Sequence, residues 1–322
     1  MNRLEKEHLA MGANPSWTCA PYQDGILPKS GSLVAWSESN AIVFANSVLG
    51  ARTNRTGDLV DICCALTGRA PKTGLYIDEN RLAGIHLKLE QFPSQAFADE
   101  RLYPLLGYFM GRHCGNQVIA ISGIPKNVTM DTLKGLGAAT ASSGATALFH
   151  IVGVTPEAPT LASCMKKDTV IQTHVVTPKD IKTVESLLNT VRNDSLDWVG
   201  LGCSHFSQIE FIGLANCLGS QKIHSNITFC VFTSRKIFDW AHQTGILKPL
   251  NDAGINIYSD GCLLVYPQFL NRSGNMMTNS AKAANYVFSQ SGYMVAFGSI
   301  QECVESALAE KIIQRPPQWL TS

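Results

Sequence analysis

Three cysteines stand where a folded α/β chain would present them to a ligand. Cys203 follows an apolar run at 198–201, and Cys262 follows a second apolar run at 255–258. Ligands of open parallel sheets bind beyond the carboxyl ends of the strands, so both thiols are predicted to open onto one crevice if the two strands share a sheet. Cys19 lies in a loop of similar polarity near the start of the chain. Soft thiolates are preferred ligands of iron–sulfur clusters and other soft metal centres.

The spacing of these three cysteines does not by itself decide between a metal site and ordinary packing. None of them belongs to the paired C-x-x-C of a zinc ribbon, and cysteine is often a small buried hydrophobe. The other seven are predicted to have packing roles in helices and strands: Cys63, Cys64, Cys114, Cys164, Cys217, Cys230 and Cys303. On spacing alone, three small buried hydrophobes are the favoured interpretation of the first three, and a metal or iron–sulfur site is the alternative.

Polar side chains gather in a segment that is otherwise apolar enough for a core. It begins with Glu38, Ser39 and Asn40 and ends, beyond a predicted buried helix, with Arg52 and Arg55. Arginine offers a fixed fork of donors that suits a carboxylate or a phosphate. The alternative is a solvated, charged turn.

A second polar group follows a glycine-containing loop late in the chain. Asn279, Ser280 and Lys282 supply an amide, a hydroxyl and an ammonium, although Ser280 is also a typical helix cap. His205 lies two residues after Cys203 and is predicted to be an acid–base group or a hydrogen-bond partner of a ligand cysteine.

The elements that position these residues alternate in type along the second half of the chain. Strands alternating with helices imply a parallel sheet covered by helices. The predicted strands are 198–201, 227–232 and 255–258, and the predicted helices are 179–190, 207–217 and 235–245. Earlier in the chain, the pattern predicts a buried helix over 39–50 and a strand over 74–78. Soft boundaries at 173–178 and 267–274 divide the chain into parts at 1–175, 176–265 and 266–322.

Composition excludes several classes of partner. The 322 residues carry 26 basic and 25 acidic side chains, so there is no positive excess of the kind that binds nucleic acid or an anionic membrane. No apolar run reaches the ~18 residues that span a bilayer, and the polar N-terminus predicts a reducing, cytoplasmic setting. H-E-x-x-H, G-x-S-x-G, P-loop and G-x-G-x-x-G motifs are absent, which argues against zinc proteases, serine hydrolases and common nucleotide-binding folds.

Six segments together resemble the large subunit of aconitase X. They are WTCAPY (17–22), ESNA (38–41), ANSVLGART (45–53), LTGRAP (66–71), GVTPEAPT (153–160) and TNSAK (278–282). The resemblance runs in register from about Ala10 to about Leu308. The family belongs to the aconitase superfamily of hydro-lyases and includes cis-3-hydroxy-L-proline dehydratase and mevalonate 5-phosphate dehydratase. The resemblance implies aconitase-like α/β/α domains with mainly parallel sheets, and a cluster site in the cleft at the carboxyl ends of the strands.

The resemblance also implies roles for individual residues. An iron–sulfur cluster, either [4Fe–4S] or [2Fe–2S], would be held by Cys19, Cys203 and Cys262. Lys282 and His205 would serve catalysis, Lys282 as an anion anchor and His205 as a partner of the leaving group or of a cluster ligand. The expected substrate-binding residues are Glu38, Ser39, Asn40, Arg52, Arg55, Asn279 and Ser280.

Two departures from the family pattern shape the expected partners. Family large subunits carry a substantial segment before the Trp-Thr-Cys motif, and their catalytic base is a serine on a small swivel domain. The resemblance therefore predicts a large subunit without its N-terminal portion, which needs a swivel-domain partner and a small anionic substrate. Two other hypotheses are a non-catalytic remnant that acts at most as a binding partner, and a zinc hydrolase that uses the same three cysteines.

Overall fold

The computed structural model of the chain describes residues 2–57, 59–167, 171–265 and 273–321. In these residues the strands form two sheets, and every strand pair is parallel, as the alternation of elements predicts. The strands are β1 (Ile85–Lys88), β2 (Ile119–Ser122), β3 (Phe149–Ile151), β4 (Gln172–Val175), β5 (Trp198–Leu201), β6 (Thr228–Thr233), β7 (Ile255–Ser259), β8 (Gly274–Thr278) and β9 (Tyr293–Phe297).

Helices connect and cover these sheets. They are α1 (Asn2–Ala10), α2 (Ser39–Ser47), α3 (Val60–Thr67), α4 (Leu102–Cys114), α5 (Met130–Gly144), α6 (Leu161–Cys164), α7 (Pro178–Leu188), α8 (Gln208–Leu218), α9 (Arg235–Gln243), α10 (Leu247–Asp252), α11 (Ala281–Ser291), α12 (Ile300–Ala309) and α13 (Gln318–Thr321). None of the described helices is long and apolar enough to cross a bilayer.

The strand order of the second sheet determines where a ligand can bind. The first sheet has the order β3-β2-β1-β4, and the second has the order β7-β6-β5-β8-β9. In the second sheet the chain moves outward from β5 to β7 on one side and from β8 to β9 on the other. Open α/β sheets bind ligands at the crevice where the order reverses, here between β5 and β8. Cys203 follows β5 and Ser280 follows β8, so both lie at this crevice.

Helices α4 and α5 are packed against each other at unusually short range. A Cβ atom added to Gly111 would lie 2.6 Å from the carbonyl oxygen of Thr140 on the facing helix. The hydrophobic core beside this pair contains Leu87 of β1, Ile121 of β2 and Phe149 of β3, each fully buried. The first sheet and the helix pair therefore share one core.

The strand predicted at 74–78 is wrong, because this segment forms two short 3-10 turns, Gly74–Tyr76 and Asp78–Arg81. The Asn54 side chain explains the difference. Its Oδ1 accepts a hydrogen bond from the Leu75 amide at 2.6 Å, and its Nδ2 donates to the Thr73 carbonyl at 2.9 Å. Side-chain bonds of this kind satisfy the backbone locally and compete with strand pairing.

The packing role predicted for seven cysteines is wrong for two of them. Cys63 on α3 and Cys217 on α8 are exposed, and Cys64 is half-buried, whereas the other four are buried: Cys114, Cys164, Cys230 and Cys303. Helix α3 buries none of its residues, so its apolar sequence does not make it a core helix.

The predicted division into three parts remains a prediction. The boundary at 267–274 lies mostly outside the described residues. The boundary at 173–178 joins β4 of the first sheet to helix α7, which begins with a capping box between Thr177 and Asp180.

Candidate active site

The three candidate ligand thiols come from three separate loops. Cys203 lies in the loop after β5, Cys262 in the loop after β7, and Cys19 in the N-terminal segment before α2. The backbone amide of His205 donates a hydrogen bond to Cys19 Sγ at 3.2 Å. Burial raises the pKa of the Cys19 thiol to about 12, and the charges of Glu38 and Cys262 add to the increase. The thiols therefore lie within electrostatic range of one another.

Cys203 has a similar electrostatic environment. Burial raises the pKa of its thiol to about 12; the ammonium of Lys282 opposes that increase, while Cys262 and Cys19 reinforce it. The loop that carries Cys203 runs tightly against β6, because a Cβ atom on Gly202 would overlap the backbone of Phe232. Glycine before Cys203 is therefore a steric requirement of the crevice.

The N-terminal segment is held against α2 by stacking and by hydrogen bonds. The ring of Tyr22 stacks on Phe44 with centroids 3.6 Å apart. Asn40 Nδ2 donates to Tyr22 Oη at 2.7 Å and to the Cys19 carbonyl at 3.4 Å. Asn40 Oδ1 is buried and has no partner among the described residues, so it remains available as an acceptor.

The buried Lys282 forms an ion pair with the half-buried Glu38 beside the thiols. Lys282 Nζ donates to Glu38 Oε1 at 2.5 Å and to Ser39 Oγ at 3.2 Å. Burial opposes the charge of Lys282, but Glu38 and the thiols of Cys203 and Cys19 outweigh it and raise the pKa of the ammonium. Lys282 is therefore a fixed cation in this crevice.

Helix caps bring the ion pair to this position. Glu38 Oε2 accepts from the Ala41 amide at 2.9 Å and so caps α2. The Ser280 hydroxyl accepts from the Ala283 amide at 3.1 Å to cap α11, and it also donates to the Cys203 carbonyl. The N-termini of two helices thus meet at the thiols, where their partial positive charge favours anions.

His205 has a protein partner on each ring nitrogen. Its Nε2 lies 2.7 Å from the Gly261 carbonyl oxygen, and its Nδ1 lies 3.1 Å from Thr18 Oγ1. Burial lowers the pKa of the imidazole, which is therefore neutral at physiological pH. With both nitrogens engaged, the geometry favours a positioning role over the substrate contact expected from the sequence.

A buried polar network that the sequence reasoning missed lies behind the His205 backbone. Lys134 Nζ donates to the His205 carbonyl at 3.2 Å, pairs with Asp131 at 3.1 Å and pairs closely with Glu210. Ser207 Oγ donates to Asp131 at 2.7 Å. A signal was present in the sequence, because Lys134 lies between Leu133 and Leu136 of α5 and so falls on the buried face of that helix.

A cavity of about 320 Å³ opens at the carboxyl ends of β5, β8 and β9. Cys203, Ser204, Asn279 and Ser280 all contribute to its wall. Ser204 Oγ is buried and has no hydrogen-bond partner among the described residues. Polar groups of the loops after β5 and β8 therefore face a space large enough for a small molecule.

The two arginines expected in the substrate site lie elsewhere. Arg52 pairs closely with Asp78 and lies 3.8 Å from Glu157, beyond the end of α2 that is opposite to Glu38. The nine residues of α2 separate these ends by about 14 Å at the rise of an α-helix. Arg55 is exposed and lines a different cavity. The structure therefore brings neither arginine to the thiols.

The donor chemistry of the crevice fits an iron–sulfur cluster. It combines three soft thiol donors, a backbone amide directed at one sulfur, and a buried ammonium that offsets thiolate charge. No group of three His, Cys, Asp or Glu side chains within the described ranges converges to hold a single metal ion. A cluster does not require that convergence, because its cysteine ligands need not all bind the same iron, whereas a structural Zn²⁺ draws its ligands to one point.

The segments of the chain that form this crevice all match models of one protein family. Family models for the aconitase X first, second and third domains match residues 1–79, 83–186 and 196–309. The crystal structure of Thermococcus kodakaraensis aconitase X in its holo-form superposes with a TM-score of 0.82 at 30% identity. That match covers 93% of this chain and 74% of the other.

Two curated relatives show which dehydratases the chain is similar to. Cis-3-hydroxy-L-proline dehydratase of Pseudomonas aeruginosa is 38% identical over 321 residues, which cover 99% of this chain and 55% of the relative. The phosphomevalonate dehydratase large subunit of Methanocaldococcus jannaschii is 35% identical over 308 residues, covering 94% of this chain and 74% of the relative. The chain thus spans about half the length of the first relative and about three quarters of the second.

Proposed function

The chain belongs to the aconitase X family, and from that premise we propose that it is the cluster-carrying part of a hydro-lyase. The proposed reaction is dehydration of a small hydroxylated carboxylate such as cis-3-hydroxy-L-proline or mevalonate 5-phosphate. The observation that carries the proposal is the ion pair of the buried Lys282 with the half-buried Glu38, within electrostatic range of the thiols of Cys19 and Cys203. We also propose a reducing, cytoplasmic setting, since all ten cysteines are free.

Cys19, Cys203 and Cys262 are the proposed cluster ligands. When bound, a cluster held by three cysteines leaves one iron position open, which supplies Lewis-acid assistance to the departure of a hydroxyl group. Whether the centre is [4Fe–4S] or [2Fe–2S] is a matter for spectroscopy, because three cysteines suit both. Lys282 compensates part of the thiolate charge in a crevice where burial disfavours it.

Lys282 is also the proposed anchor of the substrate anion. Its ammonium is buried and charged, and Glu38 and Ser39 hold it in one position at the N-terminus of α11. Hydrogen bonds from charged donors to carboxylate or phosphate oxygens are stronger than neutral ones. The unpartnered Oδ1 of Asn40 is a proposed acceptor for a substrate or water hydrogen, and Asn279 and Ser280, which line the cavity, are proposed to orient the substrate. Arg52 and Arg55 are left out of the proposed substrate site.

The proposed base is supplied by a partner. In the dehydration a proton leaves one carbon, the adjacent carbon–oxygen bond breaks, a double bond forms, and the hydroxyl group leaves as water. Both ring nitrogens of His205 are engaged and Lys282 is held in its protonated form, so neither residue is the proposed acceptor of that proton. We assign this task to a serine on a small swivel-domain partner. The name of the Methanocaldococcus jannaschii relative, a large subunit, supports the existence of such a partner.

The test measures loss of water by the assembled system. The chain is purified without oxygen, loaded with iron and sulfide, and mixed with a swivel-domain subunit and each of the two substrates. We expect one substrate to lose water, as measured by mass spectrometry, and we expect no reaction when the partner's serine is replaced by alanine. A cluster-loaded chain that dehydrates neither substrate with an intact partner would favour the non-catalytic remnant.

A further inference from the structure

One residue contacts all three loops that carry the candidate ligands. His205 is two residues beyond Cys203, and its backbone amide donates to Cys19 Sγ at 3.2 Å. Its ring bonds to Thr18, which precedes Cys19, and to Gly261, which precedes Cys262. No ring nitrogen remains for another partner.

The direction of these hydrogen bonds follows from their chemistry. A carbonyl oxygen only accepts, so Nε2 of His205 carries the hydrogen and donates to Gly261. In a neutral imidazole the other nitrogen, Nδ1, is then an acceptor, and the Thr18 hydroxyl donates to it. Thr18 Oγ1 in turn accepts from the Ala20 amide at 3.0 Å, so its donor and acceptor functions are both used.

The backbone of His205 is fixed as firmly as its ring. Its carbonyl oxygen accepts from Gln23 Nε2 at 2.9 Å and from Lys134 Nζ at 3.2 Å. Lys134 is itself held by Glu210 and Asp131. The residue is 4% exposed, so little solvent competes for these bonds.

We propose that His205 is a positioning residue that sets the relative placement of Cys19, Cys203 and Cys262. This inference rests on the proposed function, in which these three thiols bind the cluster. In it, His205 does not touch the substrate. Replacing a group that orients metal ligands through hydrogen bonds lowers metal affinity by about 10- to 100-fold. His205 orients its ligands through the loops on either side of it.

Four variants test this role in different ways. His205→Phe keeps a ring and removes both nitrogens, whereas His205→Gln places an amide donor near the position of Nε2 and retains the bond to Gly261. Thr18→Val removes only the hydroxyl that donates to Nδ1. The matched control is His150→Gln, because His150 is also buried and bonds through Nε2 to a backbone carbonyl, that of Arg81 at 2.7 Å.

The first measurement is the rate at which a strong iron chelator removes the cluster. We expect removal to be about 10- to 100-fold faster in His205→Phe, intermediate in His205→Gln and Thr18→Val, and unchanged in His150→Gln. If His205→Phe does not fold, the test is whether the chelator removes the cluster faster from His205→Gln and Thr18→Val than from His150→Gln. Wild-type removal rates in all the site variants, with turnover lost in His205→Phe, would overturn the proposal in favour of a direct catalytic contact.

The second measurement uses the chain without a cluster and so is independent of the proposed function. Alkylation of Cys19 and Cys203, both of which are half-buried, by a maleimide is followed by mass spectrometry of the peptides. We expect both thiols to react faster in His205→Phe than in the wild type, because their loops are no longer held together by the hydrogen bonds of the His205 ring. Equal rates would contradict the positioning role. A wild-type chain that binds no cluster would instead refute the proposed function, and the alkylation result would still decide the role of His205.

Discussion

Lys282 is the residue whose replacement should most directly weaken substrate binding. Lys282→Met removes the buried ammonium that faces Glu38, and with it the charged hydrogen bond that we propose this ammonium donates to the substrate anion. A bond of that kind contributes about 1.5–3 kcal/mol, so kcat/KM should fall by about 10- to 100-fold. The measurement is steady-state dehydration by the cluster-loaded chain and its partner.

The control for this variant is Lys248→Met. Lys248 is exposed and pairs with Asp252 one helical turn away, so its replacement should leave kcat/KM unchanged. A Lys282→Met variant with the kcat/KM of the wild type would show that the anion is bound elsewhere.

Sequence reasoning could predict which residues lie at the crevice but not how each one is paired. Cys203 and Ser280 follow β5 and β8, and strand ends can be read from apolar runs and caps. The partners of His205, and the Glu210 and His205 partners of Lys134, come from segments far away in the chain, and no local pattern encodes them. The pairing of Arg52 with Asp78 is likewise not encoded in any local pattern.

At the scale of elements, the contact between α4 and α5 should tolerate no added methyl group. In Gly111→Ala the new Cβ atom would overlap the Thr140 carbonyl of the facing helix, and the helices would have to separate. Overpacking of this kind costs about 1–3 kcal/mol of unfolding free energy. Urea denaturation of the wild type and the variant measures the loss.

Gly213→Ala on α8 is the matched control, since it is the same substitution in another helix. A Cβ atom at Gly213 has no neighbour within 4 Å. Alanine should therefore stabilise that helix by up to about 1 kcal/mol through its better helix propensity. A destabilisation equal to that of Gly111→Ala would show that the close approach of α4 and α5 does not determine the effect at Gly111.

The sheets were only partly predictable, for a physical reason. Strand β5 is fully buried and reads as a continuous apolar run, so its bounds are the predicted ones. Strand β4 lies at the edge of its sheet and is mostly polar and mostly exposed, yet it pairs with β1 along four residues. Pairing uses backbone groups that every residue carries, so a short polar strand leaves no side-chain pattern to read.

At the scale of the whole molecule, a buried ionic network ties the C-terminal segment to the start of α4. Arg101 Nη1 donates to both Glu302 oxygens at 3.1 Å, and Arg101 Nη2 donates to Asp99 at 2.9 Å. Trp319 Nε1 of α13 donates to Asp99 at 3.1 Å. Burial alone would raise the pKa of Asp99, but the hydrogen bonds and the charge of Arg101 outweigh it and lower the pKa.

This network predicts a pH-dependent effect of Asp99→Asn. A carboxyl group whose pKa is lowered on folding stabilises the protein above its unfolded pKa of about 3.9, and the stabilisation is lost as pH falls through the folded pKa. The variant should therefore lose about 2 kcal/mol of unfolding free energy at neutral pH. The difference from the wild type should shrink on acidification.

Urea denaturation at neutral pH and at a pH well below the folded pKa of Asp99 measures both values. Asp252→Asn is the control, because its exposed pair with Lys248 should contribute less than about 1 kcal/mol at either pH. A difference between Asp99→Asn and the wild type that is equally large at both pH values would contradict the assigned ionic role.

The most direct measurement for the whole molecule is its iron and acid-labile sulfide content after purification without oxygen. We predict both elements in the wild type and in Cys64→Ala, whose half-buried thiol lies on the surface helix α3. We predict neither in Cys203→Ala, provided that this variant retains the circular dichroism of the wild type. A cluster retained in Cys203→Ala, or stoichiometric zinc without sulfide in the wild type, would contradict the assignment of Cys19, Cys203 and Cys262 as cluster ligands.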